Sequence, residues 1–216
     1  QTVGGLTQVH LQACTTRTVM LEKAELTRMS FDTFTPIPLL NKETIHYDDR
    51  GHFAEVWHRE KAYIPHSVFQ VNHSHSNGNV LRGLHWQAPP YGIGKYVTCL
   101  YGSIQDVVVD IRINSKTFGK WASYTLAGGH GVDTKSTRES LWVPAGFAHG
   151  FYVLSLTADV VYLQDGVYNP KYEKSLRYDD PDVGVEWQGS HFIVSPKDSV
   201  APLLKDIPET QLFKSM

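Results

Sequence analysis

The sequence contains very little cysteine, and the two residues present suggest neither a disulfide framework nor a thiolate metal site. Only Cys14 and Cys99 occur among 216 residues. Cys99 lies in the apolar run Tyr96–Leu100, which predicts a small buried hydrophobic residue. So few thiols favour a reducing compartment over an oxidising one.

The sequence also lacks a surplus of charge and any long apolar segment. Its net charge is −2 and its pI about 6.6, so no basic field exists to bind nucleic acid polymers or anionic membranes. No stretch is apolar enough to cross a bilayer, and no basic-then-apolar export signal opens the chain. We therefore expect a cytoplasmic protein with neither nucleic acid nor membrane as a partner.

Residues 1–28 differ from the rest of the chain. They lack strand alternation, begin without methionine and precede Met29, although Glu22 to Arg28 have the composition of a short helix. We predict that 1–28 are a tag or an extra N-terminal tail. Residues 29–216 are then one domain, with a C-terminal hook over 191–216 that packs back on it.

Helical periodicity is weak, and short β-favouring runs separated by glycine and proline turns are the dominant pattern. The clearest strand, Ser103–Ile111, has apolar residues on both faces, so we expect it to be covered on both sides and Asp106 to be buried with a partner. Further strands are predicted at residues 53–57, 67–72, 80–87, 121–126, 140–143, 150–154 and 159–164. This spacing predicts an all-β, two-sheet sandwich or jelly roll.

The run Val80–Gln87 places Arg82 and His85 three residues apart, on opposite faces of a regular strand. Gly83 between them permits a bulge that brings both side chains to one face. A second motif, Pro144–Phe151, delivers His149 between small residues. We expect Arg82, His85 and His149 to line one cavity between the sheets, together with Lys95, Tyr162 and Tyr168. Taken singly, each of these residues also has an ordinary structural explanation.

These and other motifs together resemble one family. The resemblance runs from about Ile45 to Leu204 and rests on Phe69–Ser74, Arg82–Gln87, Asp106–Arg112, Thr117–Gly119, Pro144–Phe151, Tyr168–Pro170, Asp180-Pro181, Lys197-Asp198 and Ala201-Pro202. The chain is similar to the dTDP-4-dehydrorhamnose 3,5-epimerases. The resemblance implies a cupin-like jelly roll with a few short helices, a homodimer, and a dTDP-4-keto-6-deoxysugar as substrate.

The resemblance also implies roles for individual residues. His85 matches the general base, Asp198 the carboxylate that orients it, Tyr162 the acid on the other side of the sugar, and Lys95 the cation at the C4 oxygen. His149 matches a second active-site histidine, with Asp106 as its partner. The residues that match substrate-binding groups are Arg50, Glu55, Gln70, Asn72, Arg82, Tyr168, Glu173 and Lys197, of which Tyr168 matches the aromatic that stacks on thymine.

This chemistry is reasonable on its own terms. A proton beside a ketone becomes removable when a cation in a dry site stabilises the enolate. Neutral imidazole is a competent base near its ordinary pKa of about 6.5. Inversion then requires an acid on the opposite face, and a phenol holds its proton until the enolate needs it. No hydride, metal or nucleotide cofactor is required.

Some positions depart from the family pattern, and other functions have to be weighed. His52, Ile93 and Val167 differ, and the loop 128–138 is longer than usual, so inversion at both C3 and C5 or at one centre stays open.

The main rival is a metal-dependent cupin oxygenase or isomerase, because His73 and His75 offer two ligands. The carboxylate that such a facial triad needs does not follow within a few residues. A silent sugar-nucleotide-binding module is the third alternative.

Overall fold

The computed structural model describes residues 38–62, 64, 67–128 and 137–214, and within these ranges two antiparallel sheets pack face to face. The six-stranded sheet has the order β2-β1-β8-β5-β10-β3, and the five-stranded sheet has the order β11-β4-β9-β6-β7. The strands are β1 Leu39–Asp48, β2 Gly51–Ala54, β3 Gln70–Asn77, β4 Leu81–Gln87, β5 Lys95–Tyr101, β6 Ser103–Asp110, β7 Trp121–Ala127, β8 Thr137–Val143, β9 Phe147–Val153, β10 Thr157–Gln164 and β11 Glu173–Ser175.

Strand β6 lies inside the molecule, as its sequence predicts. Ile104 and Val108 on one face join the cluster between the sheets. Val107 and Val109 on the other face join a second cluster, which is covered by the C-terminal segment through side chains such as Leu204. Each such buried aliphatic side chain contributes about 1.5–3 kcal/mol to stability. Residues of the predicted C-terminal hook, such as Leu204 and Leu212, pack in this second cluster.

The all-β prediction with few helices is also confirmed. The helical elements within the described ranges are the one-turn helix α1 Pro196–Ser199 and two 3-10 turns, Leu204–Asp206 and Glu209–Gln211. None of the helices in this part of the chain has the length and apolar character needed to cross a membrane.

The strand bounds around residues 53–72 were predicted wrongly. β2 ends at Ala54 and β3 begins at Gln70, while Trp57 and Val68 belong to the segment between them. Those apolar side chains pack over Tyr96 and Trp142 on the outer face of the six-stranded sheet. These side chains are buried because they cover the face of the sheet, and their backbone does not form a strand of it.

Two predictions lie outside the described residues. One is the tail over 1–28, including the short helix from Glu22 to Arg28. The other is most of the long loop after β7, since 129–136 are not described.

Candidate active site

A cavity of about 540 Å³ opens between the two sheets, within the size range of small-molecule sites. The five-stranded sheet contributes the side chains of β4 and β9, and the six-stranded sheet contributes those of β5, β10 and β3. Ten of the predicted site residues line it: Asn72, Arg82, His85, Lys95, His149, Tyr162, Tyr168, Glu173, Lys197 and Asp198. The prediction that the histidines, Arg82, Lys95 and the two tyrosines share one cavity is confirmed.

The bulge predicted at Gly83 is present and explains how Arg82 and His85 reach the same cavity. The register between β4 and β9 shifts between these two residues. Gly83 has φ +117°, and a Cβ built there would lie 2.6 Å from Gly150 Cα on β9. Only glycine fits, because the backbone conformation and the close approach of the two strands both exclude a side chain.

His85 is held by a carboxylate from the far end of the chain. Its Nε2 lies 2.6 Å from Asp198 Oδ1 on α1. The Ser195 side chain caps this short helix by accepting a hydrogen bond from the Asp198 backbone N–H at 3.1 Å. Burial raises the pKa of Asp198, but the hydrogen bonds and charge around it, chiefly from His85, outweigh burial and hold the pKa below its ordinary value. With Asp198 ionised, Nε2 carries a proton and Nδ1 is left as a base.

A second imidazole–carboxylate pair lies beside the first. His149 on β9 is the direct cross-strand partner of His85 on β4. Its Nε2 is 3.0 and 2.9 Å from the two oxygens of Asp106, which is fully buried on β6. The expectation that buried Asp106 has a partner is therefore confirmed.

Tyr162 and Lys95 face these histidines from the opposite sheet. Tyr162 is on β10 and Lys95 begins the neighbouring strand β5. Burial raises the pKa of the Tyr162 phenol well above its ordinary value. Burial also lowers the pKa of Lys95, although the charges of Glu173 and Asp106 act the other way. No carboxylate in the described part of the chain is within ion-pair distance of Lys95, so its charge is directed at the cavity.

Charged and aromatic groups surround the cavity mouth. Glu173 accepts a hydrogen bond from Tyr168 Oη at 2.9 Å and forms an ion pair with Lys197. Arg82 donates from Nε to Ser76 Oγ at 2.9 Å and from Nη2 to the His75 carbonyl at 3.2 Å. The cavity mouth thus carries two cationic side chains (Arg82 and Lys197), a carboxylate (Glu173) and an aromatic ring (Tyr168).

Three predicted binding residues do not line the cavity. Gln70 lies beside it and accepts a hydrogen bond from the Tyr168 backbone N–H at 2.9 Å. Arg50 is 90% exposed and pairs with Asp48, and Glu55 pairs with Lys61 at 2.8 Å. The β1–β2 hairpin that carries Arg50, and Glu55 just after it, lies at the other edge of the six-stranded sheet from β3.

The sequence analysis missed several polar residues that hold site residues in place, among them Ser74, Ser76 and Ser195. Ser74 Oγ lies 3.1 Å from Tyr162 Oη. A signal for two of them is present: β3 has polar residues at every second position, 70, 72, 74 and 76, and Asn72 and Ser74 of this row line the cavity.

The histidines that suggested a metal site have exposed side chains. His73 Nε2 and His75 Nδ1 lie 2.8 and 3.1 Å from Asp159 Oδ1, a carboxylate on β10 that the sequence did not connect with them. Across the described ranges, no three His, Cys, Asp or Glu side chains are arranged to hold a metal ion.

Comparison with known proteins identifies the family. Residues 37–206 match the family dTDP-4-dehydrorhamnose 3,5-epimerase. The chain is 42% identical over 178 residues to the Mycobacterium tuberculosis H37Rv protein of that name, covering 79% of this chain and 84% of the relative. It is 41% identical over 156 residues to the Escherichia coli K12 protein, covering 70% and 80%. The chain belongs to this family. The enzymes of this family are isomerases.

Solved structures agree with this assignment. The chain is similar to a 3,5-epimerase of Legionella pneumophila in complex with dTDP-4-keto-L-rhamnose, with TM-score 0.74, 38% identity, and coverage of 82% of this chain and 94% of the other. It is also similar to ChmJ, a 3′-monoepimerase of Streptomyces bikiniensis, with TM-score 0.69, 34% identity, and coverage of 78% and 84%. The cupin-like jelly-roll prediction is confirmed.

Proposed function

We propose that this protein is an epimerase that inverts C3 and C5 of a dTDP-4-keto-6-deoxyhexose, in a rhamnose-type deoxysugar pathway of the cytoplasm. One observation carries the proposal: an oriented imidazole and a protonated phenol enter one cavity from opposite sheets. A sugar ring held between the sheets then presents one face to His85 and the other to Tyr162, as inversion of a stereocentre requires.

His85 removes the proton next to the C4 ketone. Its Nε2 is committed to Asp198, so Nδ1 takes the proton, and the resulting imidazolium is stabilised by the carboxylate. Lys95 stabilises the enolate oxygen at C4, which is most effective where water is excluded. Tyr162 delivers a proton to the opposite face of the carbon. His149, held by Asp106, lines the cavity beside His85.

The nucleotide binds at the mouth of the cavity. Arg82 and Lys197 pair with the diphosphate, because guanidinium and ammonium groups match phosphate oxygens. Tyr168 stacks on the thymine ring. Gln70 supports Tyr168 through its backbone, and Asn72 and Glu173 make further polar contacts with the substrate.

The test is incubation with dTDP-4-keto-6-deoxyglucose in heavy water, followed by NMR. Solvent deuterium should enter at C3 and C5 of an inverted product. His85→Ala should abolish the exchange, whereas Tyr162→Phe should reduce inversion more than exchange. Equal loss of both in Tyr162→Phe would contradict the role of acid.

A mono-epimerase is the second candidate, supported by the similarity to the 3′-monoepimerase ChmJ. Ile93, one of the positions that departs from the family pattern, lines the cavity and bears on how the sugar is seated. Deuterium at one carbon only, in a product inverted only there, would favour this candidate.

We further propose that the enzyme is a homodimer in which Arg50 and Glu55 contact the substrate bound to the other copy. Strands in a sheet are about 4.8 Å apart, so β2 lies about 19 Å from β10, too far for Arg50 to reach its own cavity. β2 is an edge strand, and its Phe53 is 72% exposed, as an interface residue would be.

Mixed dimers test this arrangement. Arg50→Ala and His85→Ala homodimers should each be impaired, but a random mixture should regain about a quarter of wild-type turnover, because half of the dimers then carry one intact site. A mixture no more active than its parents would contradict shared sites. A monomer in solution would contradict the dimer itself.

A further inference from the structure

The polar row on the edge strand β3 holds cavity residues that other strands supply. Ser74 and Ser76 are two residues apart and turn the same way. Ser76 Oγ accepts a hydrogen bond from Arg82 Nε at 2.9 Å, and Ser74 Oγ lies 3.1 Å from Tyr162 Oη. The serines are thus a matched pair, one contacting the cation at the mouth and the other the phenol inside.

The contact of Ser74 is set by the register between β3 and β10. Tyr162 is directly opposite Asn72, and Ser74 is opposite Val160, so Ser74 and Tyr162 are diagonal neighbours within side-chain reach. Within the described ranges, Ser74 is the one hydrogen-bond partner of the Tyr162 phenol. The direction of the phenol O–H therefore depends on this single contact.

We propose that Ser74 is a positioning residue for Tyr162: its hydroxyl donates to the phenol oxygen and thereby directs the phenol proton into the cavity. A phenol proton lies in the ring plane in one of two positions. When Ser74 donates to the oxygen from one side, the proton occupies the other. This inference rests on the proposed epimerase function, in which Tyr162 is the acid.

The same hydrogen bond stabilises the phenol after it has reacted. The phenol O–H bond breaks as the new C–H bond forms, and the O–H electron pair stays on the oxygen as a phenolate. Burial makes that anion costly and raises the pKa of Tyr162, while the hydrogen bond with Ser74 and the charge of Arg82 lower it. A donated hydrogen bond is stronger to the phenolate than to the neutral phenol, so Ser74 favours the transfer. Solvent then supplies a new proton to the phenolate and takes up the proton held by His85.

The experiment separates proton removal from proton delivery. In heavy water with dTDP-4-keto-6-deoxyglucose, Ser74→Ala should keep deuterium exchange into recovered substrate within about threefold of wild type. Inverted product should fall roughly ten- to hundredfold, the value expected for losing a hydrogen bond to a charged group. Ser74→Thr keeps the hydroxyl on a strand-compatible side chain and should restore the wild-type ratio of exchange to inversion.

Ser76→Ala is the matched control. It removes the acceptor of Arg82, so it should raise KM while leaving the ratio of exchange to inversion unchanged. If Ser74→Ala lowers exchange and inversion by the same factor, or changes neither, the inference is wrong. A merely structural role would not shift the ratio.

A substrate-free measurement keeps this inference separate from the proposed function. With 13Cζ-labelled tyrosine, the Tyr162 resonance, identified by its loss in Tyr162→Phe, should move in Ser74→Ala and return in Ser74→Thr. An unmoved resonance would refute the hydrogen bond. If the resonance moves but the wild-type enzyme neither exchanges nor inverts the sugar, the proposed function fails and with it the acid role, although the contact stands.

Discussion

The two imidazole–carboxylate pairs of the site are neighbours in one sheet and yet differ in environment. The His85 side chain is 25% exposed and its carboxylate, Asp198, comes from a one-turn helix outside the sheets. The His149 side chain is 5% exposed and its carboxylate, Asp106, is fully buried in β6. A side chain that exchanges protons with a ligand has to be accessible to it, whereas burial holds a side chain in one orientation. The proposed proton transfer therefore fits the accessible His85 pair, and a structural role fits the buried His149 pair.

The largest expected difference between the two pairs is seen when each imidazole is removed in turn. His85→Ala should lower the rate of deuterium exchange by about 10³-fold or more, because the base is lost while the fold keeps its core. His149→Ala should lower exchange less but unfold more readily, since it leaves Asp106 buried and unpaired. Exchange rates by NMR and urea unfolding measure the two effects. Equal rate losses in both variants would remove the distinction.

The bulge at Gly83 lies beside both pairs, next to His85 on β4 and against the His149 backbone on β9. Gly83→Ala should reduce the free energy of unfolding by about 2–5 kcal/mol, because it combines a positive φ with overlap against the β9 backbone. Gly184→Ala is the matched control, since Gly184 also has positive φ (+66°) but a Cβ there meets only Pro181 O at 3.9 Å. The control should lose about 1–2 kcal/mol. Denaturant unfolding that gave equal losses would show that the strand contact is unimportant.

Removing the carboxylates should separate stability from activity. Asp106→Ala leaves the buried His149 Nε2 without its partner and should cost about 1–3 kcal/mol of unfolding free energy. Asp198→Ala should cost less stability but lower exchange by roughly 10²-fold, because His85 loses its orientation. Thermal unfolding and exchange rates check this. A larger stability loss in Asp198→Ala than in Asp106→Ala would contradict the comparison.

The smallest expected effect is a pH dependence of stability from Asp198. Its pKa in the folded protein lies below the ordinary value of 3.8, so the folded state binds that proton less readily than the unfolded state. The stabilisation is therefore present above about pH 4 and is lost as the pH falls through the folded pKa. Urea unfolding of wild type and Asp198→Asn should give a stability difference that narrows below pH 4. A difference that stayed constant there would refute the linkage.

Local sequence patterns predicted the parts of the site that depend on one strand. The apolar faces of β6 predicted its burial, and Gly83 predicted the bulge, because both follow from alternation and backbone sterics. β1 was not predicted as a strand, because its polar residues Asn41, Lys42 and Glu43 interrupt the apolar pattern. Glu43 is nevertheless buried, where it pairs with Arg138 of β8.

Contacts between distant strands were beyond the sequence. Ser74 meets Tyr162 only through the register of β3 on β10, which no local pattern determines. The location of Arg50 and Glu55 away from the cavity was also unforeseen, because a motif does not record where its residues lie in the fold. The resemblance indicated which residues belong to the site, and the order of the strands in the sheet showed how far apart those residues lie.

The separation between His85 and Asp198 has a consequence for biosynthesis. The two residues are 113 positions apart in the chain, so Asp198 leaves the ribosome well after His85. The described strands of both sheets end by Ser175, before the helix that carries Asp198. Nascent or prematurely terminated chains that stop short of Asp198 would have a cavity with an unoriented imidazole. The orientation of the His85 imidazole thus depends on a segment that is synthesised after all the described strands.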